Sequence, residues 1–283
     1  MARGPRERTA PDSLVVVDKP AGVTSHDVVA RVRRLAGTRK VGHAGTLDPM
    51  ATGVLLVGVE RTTRLLGHLA LTDKAYSATV RLGVTTVTDD AEGETVSVVD
   101  ASGVPLDQVE TALVALRGDI QQRPSAVSAI KVDGVRSYKR VRDGEDVELP
   151  ARPVTVSRLE VVEVRRDEGV LDLDVEVECS TGTYVRALSR DLGAALGVGG
   201  HLTALRRTRV GAFGLDRART LDELTESFDA VPLVDVVRDS FGVVEVDASD
   251  VDPVLHGGRV ESAYAGPSPV GVVDPDGRIL SLA

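Results

Sequence analysis

Val170-Leu171-Asp172-Leu173-Asp174-Val175-Glu176-Val177-Glu178 is the stretch on which the fold turns. Successive side chains of an extended chain point to opposite sides, so Leu171, Leu173, Val175 and Val177 share one face while Asp172, Asp174, Glu176 and Glu178 share the other. One face is thus buried and the other wet. Strands of a parallel sheet covered on both sides read as continuous apolar runs, so this strand predicts an antiparallel or mixed sheet.

Immediately downstream, Val185, Leu188, Leu192 and Ala195 recur at helical spacing and predict a helix over 183–196, ended by Gly197. Upstream, strands are predicted over 154–164, 75–82, 54–59 and 14–18. Thr24 and Asp27 form a capping-box-like start for a helix carrying Val28, Val32 and Leu35, with Gly37 beyond its end. Pro105 opens a helix carrying Val109, Leu113 and Leu116, closed by Gly118. A short basic helix is expected over 137–142, and a polar loop with two adjacent acids over 85–94. Strands and helices do not alternate regularly, so the class is α+β rather than doubly wound. Residues 241–246, 270–273 and 279–282 read as short strands, the last two joined by the turn Asp274-Pro275-Asp276-Gly277. The tail therefore reads as a small β-rich module.

With 283 residues, 42% of them hydrophobic, the chain suits one large domain or one domain plus an appendage. Its apolar runs are strand-length, far below the ~20 residues of a spanning helix. Met1–Asp12 is basic and polar and reads as a disordered arm without the apolar core of a secretory signal. Cys179 is the single cysteine, which rules out a disulfide framework. Together these features predict a cytoplasmic protein. The net charge is −9 but unevenly spread: residues 216–283 hold 14 acidic and 5 basic side chains, whereas residues 1–215 hold 29 of each. Local basic clusters remain available for phosphates: Arg31, Arg33, Arg34, Arg39 and Lys40; Lys131, Arg136, Lys139, Arg140 and Arg142; Arg206, Arg207 and Arg209. For any one of them, a solvated helix face is the better account.

The densest site for chemistry is Gly42-His43-Ala44-Gly45-Thr46-Leu47-Asp48-Pro49-Met50-Ala51-Thr52-Gly53. Three glycines let a backbone approach a large ligand closely. Neither a phosphate loop nor a dinucleotide fingerprint fits its spacing. Read alone, the segment is better taken as an irregular loop in which Asp48 caps a turn whose next φ is set by Pro49.

This segment resembles the catalytic-aspartate motif of the TruB family, the tRNA pseudouridine-55 synthases. Lys19-Pro20-Ala21-Gly22-Val23-Thr24-Ser25 resembles the family's first motif and Asp73-Lys74-Ala75-Tyr76 its tyrosine motif. Gln121 to Gly134 resembles a further stretch, although Gln122-Arg123-Pro124-Ser125 lacks the paired prolines. Cys179-Ser180-Thr181-Gly182-Thr183-Tyr184-Val185-Arg186 resembles the third motif, and Leu205 to Phe213 the last. The likeness covers about residues 13–215 in the family's order.

The resemblance implies a mixed, largely antiparallel sheet of the pseudouridine synthase core flanked by helices. It implies an arm over 1–12, a catalytic domain over 13–235 and a PUA-like C-terminal module over 236–283. The implied activity isomerises uridine to pseudouridine at position 55 in the T-loop of tRNA, after base flipping. Asp48 is the implied nucleophile, and a carboxylate can serve so without metal or organic cofactor. Arg186 is implied to keep it ionised against desolvation. Tyr76 would lie on the uracil face and take the C5 proton, while Tyr184 and Leu205 line the pocket. His43 would pack in the T-loop, and Lys19 and Pro20 buttress the Asp48 loop. The tRNA T-arm is the implied partner, with no membrane and no obligate protein partner, and a monomer is expected. A non-catalytic tRNA-folding protein of the same fold, or a nucleoside hydrolase using Asp48, are the alternatives. The first would bind tRNA and leave its uridine unchanged; the second would release free uracil.

Overall fold

In the computed structural model, which describes residues 10–127, 131–132, 135–136, 149–259, 262–266 and 268–283, the predicted wet-and-dry strand lies near the middle of a ten-stranded sheet. Its strands in chain order begin with β1 (Ser13–Lys19), β2 (Val41–Ala44), β3 (Thr52–Val59) and β4 (Lys74–Leu82). A side hairpin follows, β5 (Val84–Thr86) with β6 (Thr95–Val98). Then come β7 (Gly118–Gln122), the small pair β8 (Lys131–Val132) and β9 (Val135–Arg136), β10 (Arg152–Asp167), β11 (Val170–Cys179), β12 (Gly200–Val210), β13 (Phe213–Gly214) and β14 (Val231–Pro232). The spatial order is β14-β1-β3-β12-β4-β11-β10-β7, with β2 on β3 and β13 on β12. Every pairing in it is antiparallel except β12 on β3.

On β11 the apolar face is sealed: Leu171, Leu173, Val175 and Val177 are at most 1% exposed. They form one core with β4, β10 and two helices, α3 (Leu106–Val114) and α4 (Val185–Ala195). A second core lies between β1, β3 and the helices α1 (Ser25–Leu35) and α5 (Leu221–Glu226); a third covers the opposite face of β1 and β3, under α2 (Leu66–Ala70) and α6 (Leu233–Ser240). Helix α2 precedes β4, and the bonds at its C-terminal end matter for the site below. Thr24 caps α1 as expected, accepting from the Asp27 amide while the Asp27 carboxylate accepts from the Thr24 amide at 2.9 Å.

The β3–β12 contact is short. Only Thr52 with Arg206 and Gly53 with Arg207 are in register. Gly53 sits at φ +95°, and a Cβ there would meet the Arg207 carbonyl oxygen at 2.1 Å, so no other residue allows the strands to approach.

Beyond α6 the chain builds a three-stranded sheet of β15 (Gly242–Glu245), β16 (Val270–Val273) and β17 (Ile279–Leu282), with α7 (Val251–Leu255) beside it. The predicted turn closes β16 to β17, the Arg278 amide donating to the Asp274 carboxylate at 2.7 Å.

Some expectations shift. Residues 10–12, expected within the arm, are packed: Ala10 is buried, and Asp12 accepts from the Arg61 amide at 2.9 Å. The helix opened by Pro105 ends at Val114, and Gly118 instead begins β7. Strand β12 had not been predicted; register shifts at Leu202/Ala204 and Arg207/Arg209 break its alternation, removing the period-2 signal. The basic helix expected over 137–142 and residues 1–9 lie outside the described residues.

Candidate active site

The glycine-rich loop leaves β2 and delivers Asp48 before β3 begins. It is tied down at several points. The Ser25 hydroxyl donates to the Leu47 carbonyl at 3.1 Å and accepts from the Leu47 amide at 3.0 Å. Lys19, fully buried, donates its ammonium to the carbonyls of Pro20, Val23 and Pro49 at 2.9, 2.7 and 3.1 Å. Lys19 thus joins the end of β1 to the residue after Asp48. Pro20 is exposed and contributes its carbonyl. Burial holds the Lys19 ammonium below its usual range, with the Asp48 carboxylate opposing.

Arg186, the second residue of α4, reaches this loop from the other side. Its Nε lies 3.0 Å from Asp48 Oδ2. Its Nη1 lies 3.3 Å from Asp90 Oδ2 and donates to the Thr88 carbonyl at 2.8 Å, and its Nη2 donates to the Val127 carbonyl at 3.0 Å. Each nitrogen of the guanidinium thus has a partner. The Arg186 and Asp90 side chains are 5% and 4% exposed, whereas Asp48 remains 38% exposed toward a cavity. Burial raises the Asp48 carboxyl above its ordinary value; Arg186 pulls it back and Asp90, a like charge, adds to the rise.

Asp90 received no role from the sequence beyond belonging to a polar loop with two adjacent acids. That pair is built with care. Asp89 takes a left-handed φ of +59°, and its carboxylate meets Arg190 at 3.3 Å. The Asp90 carboxylate accepts from the Thr88 hydroxyl and from the Glu92 amide, the latter at 3.1 Å. A non-glycine residue in that region marks strain that the surroundings enforce.

The cavity has a volume of about 310 Å³ and is lined by Asp48, Tyr76, Tyr184, Arg186 and Leu205 together with Lys74 and Arg207. Five residues singled out in the sequence therefore meet at one place. Tyr76 projects from β4 and is 8% exposed; burial raises its phenol. Tyr184 caps α4, and the Gln122 side-chain amide grips its backbone, accepting from N at 2.8 Å and donating to O at 3.1 Å. Leu205 packs against both inner cores. His43 stands apart on β2, outside the cavity lining, its ring edge-on to His26 at 5.5 Å. Burial lowers its imidazole, and His26 and Arg207 add to that.

Lys74 has no role in the sequence reading, and Arg207, expected in a basic cluster available for phosphates, is instead buried and bonded to the Val54 and Gly45 carbonyls. Lys74 donates to the carbonyls of Ala70 and Thr72 at 2.9 and 2.8 Å, at the C-terminal end of α2. Burial, with Arg207 alongside, brings its ammonium down to about 8. Arg207 is 1% exposed and lies on the strand that the sequence did not reveal. Among the described residues no group of acids, histidines and cysteines could hold a metal ion, and no helix is long and apolar enough to cross a membrane.

The sheet that carries this cavity has counterparts among solved structures. The same fold occurs in the crystal structure of a Cbf5–Nop10–Gar1 complex, with a TM-score of 0.73 and 28% identity over 98% of this chain and 79% of that one. It occurs again in an H/ACA ribonucleoprotein bound to a substrate RNA containing 2′-deoxyuridine, with a TM-score of 0.72 and 27% identity over 98% and 78%. The chain belongs to the TruB family: residues 33–185 match the TruB family pseudouridylate synthase N-terminal domain, and residues 186–238 the tRNA pseudouridylate synthase B C-terminal domain. It is 60% identical to the tRNA pseudouridine synthase B of Streptomyces avermitilis over 96% of this chain and 93% of that protein. The protein of the same name from Thermobifida fusca is 57% identical over 96% and 94%.

Proposed function

We propose that this protein converts uridine 55 in the T-loop of tRNA to pseudouridine, with Asp48 as nucleophile. The observation that carries the mechanism is the Asp48–Arg186 pair, 3.0 Å apart, at the wall of a cavity that also presents Tyr76. The relatives' shared name supports tRNA as the substrate.

The target base leaves the RNA stack, at a cost of a few kcal/mol. An aromatic face such as that of Tyr76 returns about 1–3 kcal/mol by stacking. Arg186 keeps Asp48 ionised where burial alone favours the neutral acid. The carboxylate attacks the nucleoside, the C1′–N1 bond breaks, the uracil turns, C5 bonds to C1′, and the bond between Asp48 and the nucleoside breaks to return the carboxylate. One hydrogen leaves C5, N1 gains one, and the redox state is unchanged. Tyr76 takes the C5 proton; Tyr184 and Leu205 enclose the base. His43, on β2 outside the cavity lining, packs within the T-loop, and Lys19 and Pro20 hold the Asp48 loop. Residues 13–235 form the catalytic unit, and 236–283 a PUA-like module. Helix α6 runs across that division, and its Val236 and Val237 belong to the core over β1.

Asp48→Asn tests the proposal on an unmodified tRNA transcript, with pseudouridine mapped by position. Loss of the product at position 55 with tRNA binding retained is expected. Pseudouridine from the variant, or a wild-type product at another position, removes the assignment.

A further inference from the structure

Arg207 and Tyr76 are register partners on β12 and β4, and both line the cavity. The Arg207 guanidinium is more deeply buried than that of Arg186. Its Nε donates to the Val54 carbonyl at 2.7 Å and its Nη2 to the Gly45 carbonyl at 2.8 Å. The remaining nitrogen, Nη1, lies 3.4 Å from where a Cβ on Gly45, itself a lining residue, would stand. Of the charges acting on the Tyr76 phenol, Arg207 is the strongest, and it opposes the effect of burial.

The two buried arginines differ in one respect. Arg186 has two carboxylates, whereas among the described residues no carboxylate pairs with Arg207. Isolated buried charge is strongly disfavoured unless something compensates it. Lys74 beside it makes the region more positive still. A cation kept dry, without a resting counter-ion and beside a tyrosine in the same cavity wall, is matched to an anion that exists only during turnover.

We propose that Arg207 is the positioning residue for Tyr76: it fixes the hydroxyl oxygen at the cavity wall and supplies the counter-charge while that oxygen lacks its proton. This rests on the reading of Tyr76 as the group that takes the C5 proton. As the C1′–N1 bond breaks, its electron pair goes to N1, which takes the Tyr76 hydroxyl proton and leaves a phenolate against Arg207. Once C5 is joined to C1′, the phenolate removes the C5 hydrogen as a proton. The C–H electron pair restores the C5–C6 double bond, and the hydroxyl is regenerated. The other charged or titratable groups acting on Tyr76 are Cys179 on β11 and Asp48 across the cavity.

The test uses the full chain, a tRNA transcript with uridine or 5-deuterouridine at the target, and single-turnover rates across pH. Arg207→Gln is expected to slow product formation on the order of 10²-fold with tRNA binding unchanged. It should show a larger 5-deuterium effect than wild type and regain rate as alkali removes the phenol proton. Arg207→Lys should recover part of the loss; should the glutamine variant not fold, the lysine variant carries the same two readouts. A wild-type rate overturns the proposal. So does a slow variant that keeps the wild-type isotope effect and pH profile, since that is the behaviour of a strut or of a contact to the departing uracil. Tyr76→Phe separates the underlying reading: if it releases the C5 hydrogen at the wild-type rate, Tyr76 is not the base, whatever Arg207 variants do.

Discussion

Two sets of arginine–carboxylate contacts in this molecule have nearly the same distances and opposite consequences. On the wet face of β10 and β11, Arg158 meets Glu160 at 2.9 Å and Glu176 at 2.8 Å, and Arg165 meets Asp174 and, at 3.4 Å, Glu163. In the cavity wall, Arg186 meets Asp48 at 3.0 Å and Asp90 at 3.3 Å. The ladder arginines are 40% and 43% exposed, against 5% for Arg186. Water and salt screen the ladder, so its pairs add little. In the wall the same charges act through a poorly screening medium, and each must be matched by geometry and extra hydrogen bonds. Environment rather than separation distinguishes a by-product of strand alternation from a device that holds a nucleophile ionised.

That contrast can be broken most forcefully at Arg186. Arg186→Met strands Asp90 in the interior; chemical denaturation should register a loss of about 3–5 kcal/mol, the range for one partner removed from a buried pair. Product formation should vanish with it. Asp90→Asn keeps the shape but releases one hold on the guanidinium, and should lower single-turnover rate about 10²-fold, the scale of a small misplacement. It also removes a like charge from Asp48, so the acid limb of activity should move to lower pH.

In the wild-type protein that acid limb should lie above the 3.8 of an ordinary aspartate, because burial raises Asp48. The sign for stability follows. A carboxyl whose folded value is raised favours the folded state most while protonated, and that advantage is lost as pH rises through the folded value. Asp48→Asn should therefore melt no lower than wild type at neutral pH, which thermal unfolding checks. The smallest effect belongs to the ladder: Arg165→Ala should leave both melting temperature and pseudouridine yield unchanged within error.

The parts of this structure legible in the sequence are those where one element obeys one period. Strand β11 and helix α4 show this, and both fall within two residues of their expected bounds at either end. The turn at 274–277 was legible because Asp and Gly have local reasons to be there. Asp48 and Arg186 were legible only through the family motif, since a Gly-rich loop by itself says little. Asp90, Lys74 and Arg207 were not. Asp90 looks like any solvated loop acid until tertiary contacts bury it. Arg207 sits on a bulged strand that shows no alternation, and a buried unpaired arginine contradicts the ordinary reading of that residue type as surface.

The sheet is a single ladder on paper, but mechanically it is two plates joined at a rivet. One plate brings the acid, on the loop ahead of β3; the other brings the phenol of β4. They meet where Gly53 lies under the Arg207 backbone, laced by Arg206 onto Asp18 at 2.7 Å and by Arg207 onto Val54. A single methyl group at residue 53 would stand 2.1 Å from the Arg207 carbonyl oxygen, so the plates would have to shift beside the cavity that Asp48 and Tyr76 line. The alignment of chemically reactive groups thus depends on an absence of atoms, at a residue that takes no part in the chemistry.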